Sequence, residues 1–180
     1  MPIIDPHHHL WDLSRLNYPW LKEADKTTFF GDYSALAKSY QAKDYLADSA
    51  GQQLVGSVHI QAEADPLDPV AETRWLSEVT QSSDNNSLPS AIVAYADFTR
   101  PDIDAVLTAH CHFDRVRGIR QILNFHENPT LTYTDENLLE NQLWLDNFSL
   151  LQEYDLSFDL QIYYQQMEQA AHLADRHPGM

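Results

Sequence analysis

The sequence predicts an α/β fold whose parallel strands curve toward a barrel, and three observations carry that prediction. Strand-like and helix-like segments alternate along the chain, the strands collect polar residues on one side near their C-terminal ends, and no glycine-rich phosphate loop follows the first strand. Repeated β-then-α order calls for parallel strands joined by crossover helices.

Five runs read as strands: residues 2–5, 54–62, 91–98, 116–123 and 157–162. The first leads into Asp5-Pro6-His7-His8-His9-Leu10-Trp11-Asp12. Side chains two apart on a strand share a face, so His7 and His9 point one way with Asp5. On the second run Val58, Ile60 and Ala62 alternate with His59, Gln61 and Glu63. Pro66 and Pro69 then precede a helix marked by Ala71, Trp75 and Val79. The third run carries Asp97 at its end, and Ile103, Val106, Leu107 and His110 repeat at helical spacing after it. The fourth carries Arg120, and residues 136–154, rich in Leu, Trp and Phe, read as one helix. On the fifth, Phe158, Leu160 and Ile162 alternate with Ser157, Asp159 and Gln161, and Met167, Ala170, Ala171 and Ala174 mark the last helix. No repeat or low-complexity stretch appears, and the loop-like segment 82–90 is too short for a linker, so residues 1–180 read as a single domain.

Buried parallel strands are normally apolar on both sides. Here one face of each strand is apolar and the other polar, which suits a barrel: the apolar face meets the helices and the polar face looks inward, at the end where barrel enzymes keep their chemistry. An open doubly wound sheet would not ask every strand for the same arrangement.

Composition narrows the function. The chain has 27 acidic and 11 basic residues in 180, a formal charge of −16, which argues against nucleic acid or an anionic membrane surface as a partner. The single cysteine, Cys111, rules out an internal disulfide and suits a reducing cytoplasm. No apolar run reaches membrane-spanning length, and no secretory signal is visible.

Two adjacent imidazoles at a strand end are suitable ligands for a divalent metal, or can polarise a carbonyl without one. A tag remnant would carry more histidines and lack the flanking Asp-Pro and Leu-Trp-Asp frame. His110-Cys111-His112 is set aside as a metal motif, because it lies at a helix end where residues two apart do not face each other, and His110 continues the apolar face. Trp11 is a candidate wall of the site, with core packing as its default role.

The ordered set of segments resembles the lactonase-like branch of the amidohydrolase superfamily, the hydrolases of TIM-barrel fold labelled amidohydrolase 2. The matching residues are Asp5-Pro6-His7-His8-His9-Leu10-Trp11-Asp12, Val58-His59-Ile60-Gln61-Ala62-Glu63, Asp68-Pro69-Val70-Ala71-Glu72-Thr73-Arg74-Trp75-Leu76, Gly118-Ile119-Arg120-Gln121 and Phe158-Asp159-Leu160-Gln161. The resemblance runs over essentially the whole chain. It implies a (β/α)8 TIM barrel, incomplete here: five of the eight units are present, and a closed barrel needs roughly 250 residues. The chain is therefore expected to be the N-terminal part of a longer protein, lacking the family's sixth-strand histidine and eighth-strand aspartate.

The resemblance implies roles as well. His7 and His9 would be catalytic, holding a divalent metal (zinc or similar) where one is used or contacting the substrate carbonyl where none is. A third protein ligand would come from beyond Met180. Superfamily members with two metals commonly bridge them by a carboxylated fifth-strand lysine; this chain has no lysine after Lys43, which favours a mononuclear or metal-free site. Arg120 would sit in the barrel mouth, its fork suited to a substrate carboxylate or a lactone carbonyl, unless it pairs with Asp97 or Asp159. Gln61, Glu63, Asp97 and Gln161 would contact substrate hydroxyls or belong to a buried hydrogen-bond network. His59 would point the same way from deeper down, in a structural role. The expected activity is hydrolysis of a sugar lactone or dicarboxylate lactone. The alternatives are a related metal-dependent decarboxylase, or an inactive barrel fragment that needs a complementing half. An unclosed sheet would leave two edge strands open to pairing, a route to homo-oligomers.

Overall fold

The computed structural model describes residues 1–22 and 31–179. Its five strands form a single parallel sheet in the order β1-β2-β3-β4-β5. They are β1 (Pro2–His8), β2 (Gln53–Ile60), β3 (Ala91–Tyr95), β4 (Val116–Arg120) and β5 (Ser157–Phe158). Spatial order equals chain order, so each crossover steps to the next position and none turns back. A doubly wound sheet would reverse direction at a switch point; continuous winding produces the half-barrel that is observed, an incomplete TIM barrel. β1 and β5 are its outer strands.

The helices with clean periodicity form where their apolar residues place them: α3 is Ala71–Thr80, α4 is Ile103–Cys111 and α7 is Met167–Arg176. Two short helices precede them, α1 (Pro19–Lys22) and α2 (Ala42–Asp48). The latter is closed at its start by reciprocal bonds between Gln41 and Asp44. The expected single helix over 136–154 is instead three pieces, a 3-10 turn at Leu138–Glu140, α5 at Gln142–Phe148 and α6 at Leu150–Glu153. Asn141 makes the first break, since its side chain accepts the Trp144 N–H at 3.0 Å and starts α5 afresh.

Between sheet and helices lies the main core, which includes Phe98, Leu107, Ile119, Trp144 and Leu151. Trp144 is fully buried, stacks on Phe148 at 5.0 Å, and donates its indole N–H to Gln121 Oε1 at 2.8 Å. β4 and β5 approach closely because Gly118 pairs with Ser157. A Cβ on Gly118 would meet the Ser157 hydroxyl and come within 3.0 Å of its backbone carbonyl oxygen. Gly118→Ala is therefore expected to cost about 1–3 kcal/mol through overpacking, read as a lower urea midpoint. An unchanged midpoint would mean that the two strands have slack.

Among the described residues no helix is long and apolar enough to cross a membrane.

Candidate active site

The first histidine cluster grows out of β1, whose strand geometry continues to His8 rather than ending at Asp5. Register shifts against β2 after Ile3 and after Asp5 re-aim the side chains that follow. His8 turns toward α2, stacks on Tyr45 at 4.3 Å and bonds to Ser57 Oγ at 3.0 Å. Asp5 is drawn the same way and accepts the Tyr45 hydroxyl at 2.8 Å. It holds the His7 backbone N–H at 3.1 Å instead of joining the imidazole pair.

His7 and His9 converge: their Nε2 atoms are 3.1 Å apart. His9 donates Nδ1–H to the Ile60 carbonyl at 2.7 Å, which leaves the Nε2 lone pair free and aimed at His7. Burial lowers the pKa of His9 to about 4, and the nearby Arg120 cation adds to the shift, so the ring is neutral at physiological pH. A neutral, tautomer-fixed imidazole beside a second one is the donor set a divalent cation takes. Among the described residues no group of three or more His, Cys, Asp or Glu side chains converges as a complete metal centre.

Arg120, at the end of β4, is buried. It donates Nη2–H to the Gln61 carbonyl at 2.7 Å and Nη1–H to Gln161 Oε1 at 3.0 Å. Its Nε–H has no partner among the described residues. Burial lowers its pKa, opposed by Glu63, Asp159 and Glu72, yet a guanidinium stays charged in any protein setting. The structural pairing with Asp97 or Asp159 is not made. Asp97 instead accepts from Thr99 N–H at 2.9 Å, Thr99 Oγ1 at 2.8 Å and Gln121 Nε2 at 3.0 Å.

Of the predicted residues, His9, Glu63 and Arg120 line one cleft of about 200 Å³ together with Trp11, Trp20, Leu36 and Ala62. His7 joins through His9, and Gln161 through Arg120. Gln61 contributes its backbone carbonyl; its side chain folds back on Glu63, donating to the carboxylate and accepting the Glu63 N–H at 2.7 Å. Glu63 holds this position with a φ of 57°, a left-handed conformation uncommon outside glycine. His59 does not face the mouth. It is fully buried, bonds to the Leu10 carbonyl at 3.2 Å, and lies 3.5 Å from Glu72 of α3. His110 is fully buried between Thr73 Oγ1 and the Tyr95 carbonyl, a packing position.

Two contributors escaped the sequence reading. Trp20, at the start of α1, donates its indole N–H to the Ala62 carbonyl at 2.8 Å and walls the cleft. Glu72 is buried in α3 and accepts the Ala62 N–H at 2.9 and 3.2 Å on its two oxygens. Burial pushes it up to about 8, against the lowering effect of the Ala62 N–H. An acid among the buried positions of α3, beside Thr73, Trp75 and Leu76, was the available signal.

Comparison with known proteins gives the family and the fold. The sequence profile of a family described as amidohydrolase matches residues 4–180. An uncharacterized protein, y4mH, of Sinorhizobium fredii (strain NBRC 101917 / NGR234) is 44% identical over 179 residues, covering 99% of this chain and 59% of that one. Among solved structures, amidohydrolase 2 from Bifidobacterium longum subsp. infantis superposes with a TM-score of 0.65 at 20% identity, over 99% of this chain and 58% of that one. An amidohydrolase from Burkholderia multivorans with bound zinc gives 0.67 at 23% identity, over 97% and 54%. The chain thus spans little more than half the length of these relatives.

Proposed function

The chain belongs to the amidohydrolase family, and on that premise we propose that the whole protein hydrolyses a small cyclic ester, a sugar lactone or a dicarboxylate lactone. The observation that carries this reading is the convergence of the His7 and His9 Nε2 atoms, 3.1 Å apart, in a cleft shared with Arg120.

The ester carbonyl binds between the histidine pair and the Arg120 guanidinium that lines the cleft. As oxygen gains charge in the tetrahedral intermediate, the guanidinium stabilises it; such preorganised donors act most strongly where water is excluded. Trp11 and Trp20 supply that exclusion along one wall. Glu63, held rigidly by its bonds with Gln61, faces the same cleft as an acceptor for substrate hydroxyls. Attack by water is assisted by a general base from the part of the barrel after β5.

A divalent cation fits the donor set, because His9 Nε2 carries an unprotonated lone pair whose direction Ile60 fixes. His7 and His9 would hold it, and when bound it supplies Lewis-acid polarisation of the carbonyl and a more acidic water. The zinc in the Burkholderia multivorans amidohydrolase supports that choice of ion.

Each lactone opened releases one proton, so a pH-indicator assay on the full-length protein tests the reading. A panel of five- and six-membered sugar and dicarboxylate lactones is tried with added zinc and after chelation. Turnover of at least one lactone is expected. Release of carbon dioxide from an unsaturated acid, with every lactone inert, would replace hydrolysis by decarboxylation.

A further inference from the structure

Three consecutive backbone carbonyls at the end of β2 each hold one side chain of the cleft. Ile60 accepts His9 Nδ1–H at 2.7 Å, Gln61 accepts Arg120 Nη2–H at 2.7 Å and Ala62 accepts the Trp20 indole N–H at 2.8 Å. The direction of these carbonyls therefore sets the tautomer of His9, the place of the guanidinium and the angle of the indole.

Two contacts fix that short segment. The Gln61 N–H donates to the Val93 carbonyl at 2.8 Å, which continues the sheet. One residue on, the sheet ladder has ended, and the Ala62 N–H is taken by both oxygens of Glu72. The next residue, Glu63, leaves the strand in a left-handed conformation. Without Glu72, nothing among the described residues would hold the Ala62 N–H at this break. The Glu72 carboxyl group comes from the second residue of α3, so it also ties the crossover helix to the strand end.

We propose that Glu72 is a positioning residue: its grip on the Ala62 N–H fixes the Gln61–Ala62 peptide plane, which aims the Gln61 carbonyl at Arg120, and it steadies through the backbone the neighbouring Ile60 and Ala62 carbonyls that orient His9 and Trp20. It touches no substrate and acts through the β2 backbone. Its kinetic consequence rests on the lactone reading above; its structural consequence does not.

The test is made on the full-length protein with Glu72→Leu and Glu72→Gln. Ring nitrogen shifts report the His9 tautomer, and those of His110, a fully buried histidine held by Tyr95 and Thr73, serve as a control. In the parent protein His9 is expected as a single Nδ1–H tautomer. In Glu72→Leu it is expected as a mixture while His110 is unchanged, and kcat on the lactone falls about 10–100-fold, the range for loss of an outer orienting partner, with KM moving less than threefold. Glu72→Gln retains one acceptor for Ala62 and is expected to restore both readouts to within about threefold of the parent.

An unchanged His9 tautomer in a folded Glu72→Leu overturns the proposal. So does a change in His9 and His110 together, which would mean general loosening. If Glu72→Leu does not fold, Glu72→Asp takes its place with the same expectation, since its carboxylate stops one methylene short of Ala62. If no lactone is turned over by the parent protein, the proposed function fails while the tautomer experiment still decides the role of Glu72.

Discussion

Arg120→Met is expected to lower kcat/KM on a lactone about 100- to 1,000-fold while leaving the protein folded. The magnitude is that of losing one preorganised donor to a developing oxyanion. Methionine matches the arginine stem in length and fills irregular space, so the packing around residue 120 is largely kept. Stability is affected in two opposing ways. The Gln61 carbonyl and Gln161 Oε1 each lose a donor, which costs about 1–3 kcal/mol for a buried group left unpaired. A buried cation with no ion pair closer than the surrounding acids is also removed, and replacing such charges by apolar groups is often neutral or stabilising. Arg120→Lys is expected to fall between parent and Arg120→Met. An ammonium keeps the charge, but it cannot bond two protein acceptors in a fixed plane and still present a third donor to substrate. A kcat/KM for Arg120→Met within threefold of the parent would make the guanidinium a structural strut.

The barrel class was legible because it depends on local signals. The repeating apolar residues of α3, α4 and α7 lie on one helix face each; parallel strands follow from the β-then-α alternation, and their winding in chain order from the polar face that all of them share. α2 left no such trace. It is short, and its buried Tyr45 earns that place only by stacking on His8 and bonding to Asp5, both distant in sequence. The single helix read over 136–154 failed for a related reason: Asn141 and Ser149 are ordinary polar residues until their side chains cap the turns beside them.

The site was legible by residue type more than by direction. His7, His9 and Arg120 sit together, and His59, expected deeper down in a structural role, lies fully buried against α3, but strand alternation grouped Asp5 with the imidazole pair, which it does not join. Register shifts between β1 and β2 break that alternation, and Asp5 and His8 turn to Tyr45 of α2. Gln61 was singled out for its side chain, yet its contribution to Arg120 is a backbone carbonyl, a role that any residue type can play. Trp20 was missed because it bonds to the Ala62 carbonyl, and such a bond leaves no side-chain pattern; Glu72 left one trace, an acid on the buried face of α3.

The second large effect is a loss of stability in mild acid, with His110 as the group that isolates it. His110 is fully buried, with Nε2–H donating to the Tyr95 carbonyl at 2.9 Å and Nδ1 accepting from Thr73 Oγ1 at 3.1 Å. Burial lowers its pKa to about 4. The unfolded chain takes up a proton near pH 6.5, whereas the folded protein refuses it until about pH 4. Stability is therefore complete above pH 6.5 and declines as pH falls, at roughly 1.4 kcal/mol per pH unit for one proton. His59 has the same sign, lowered by burial. Glu72 has the opposite sign: it is raised to about 8, so the stability tied to it is present below pH 4.5 and lost as pH rises toward 8. A single acid does not offset the histidines between pH 6.5 and 4.5, and net stability is expected to fall with acidification there. His110→Gln, which offers hydrogen-bonding groups but no titration, separates the terms. Urea unfolding followed by tryptophan fluorescence should show a shallower pH dependence for His110→Gln, by about one proton's worth of slope. Parallel curves for the two proteins would mean that His110 takes up its proton over the same pH range folded as unfolded, so that its burial carries no titration penalty.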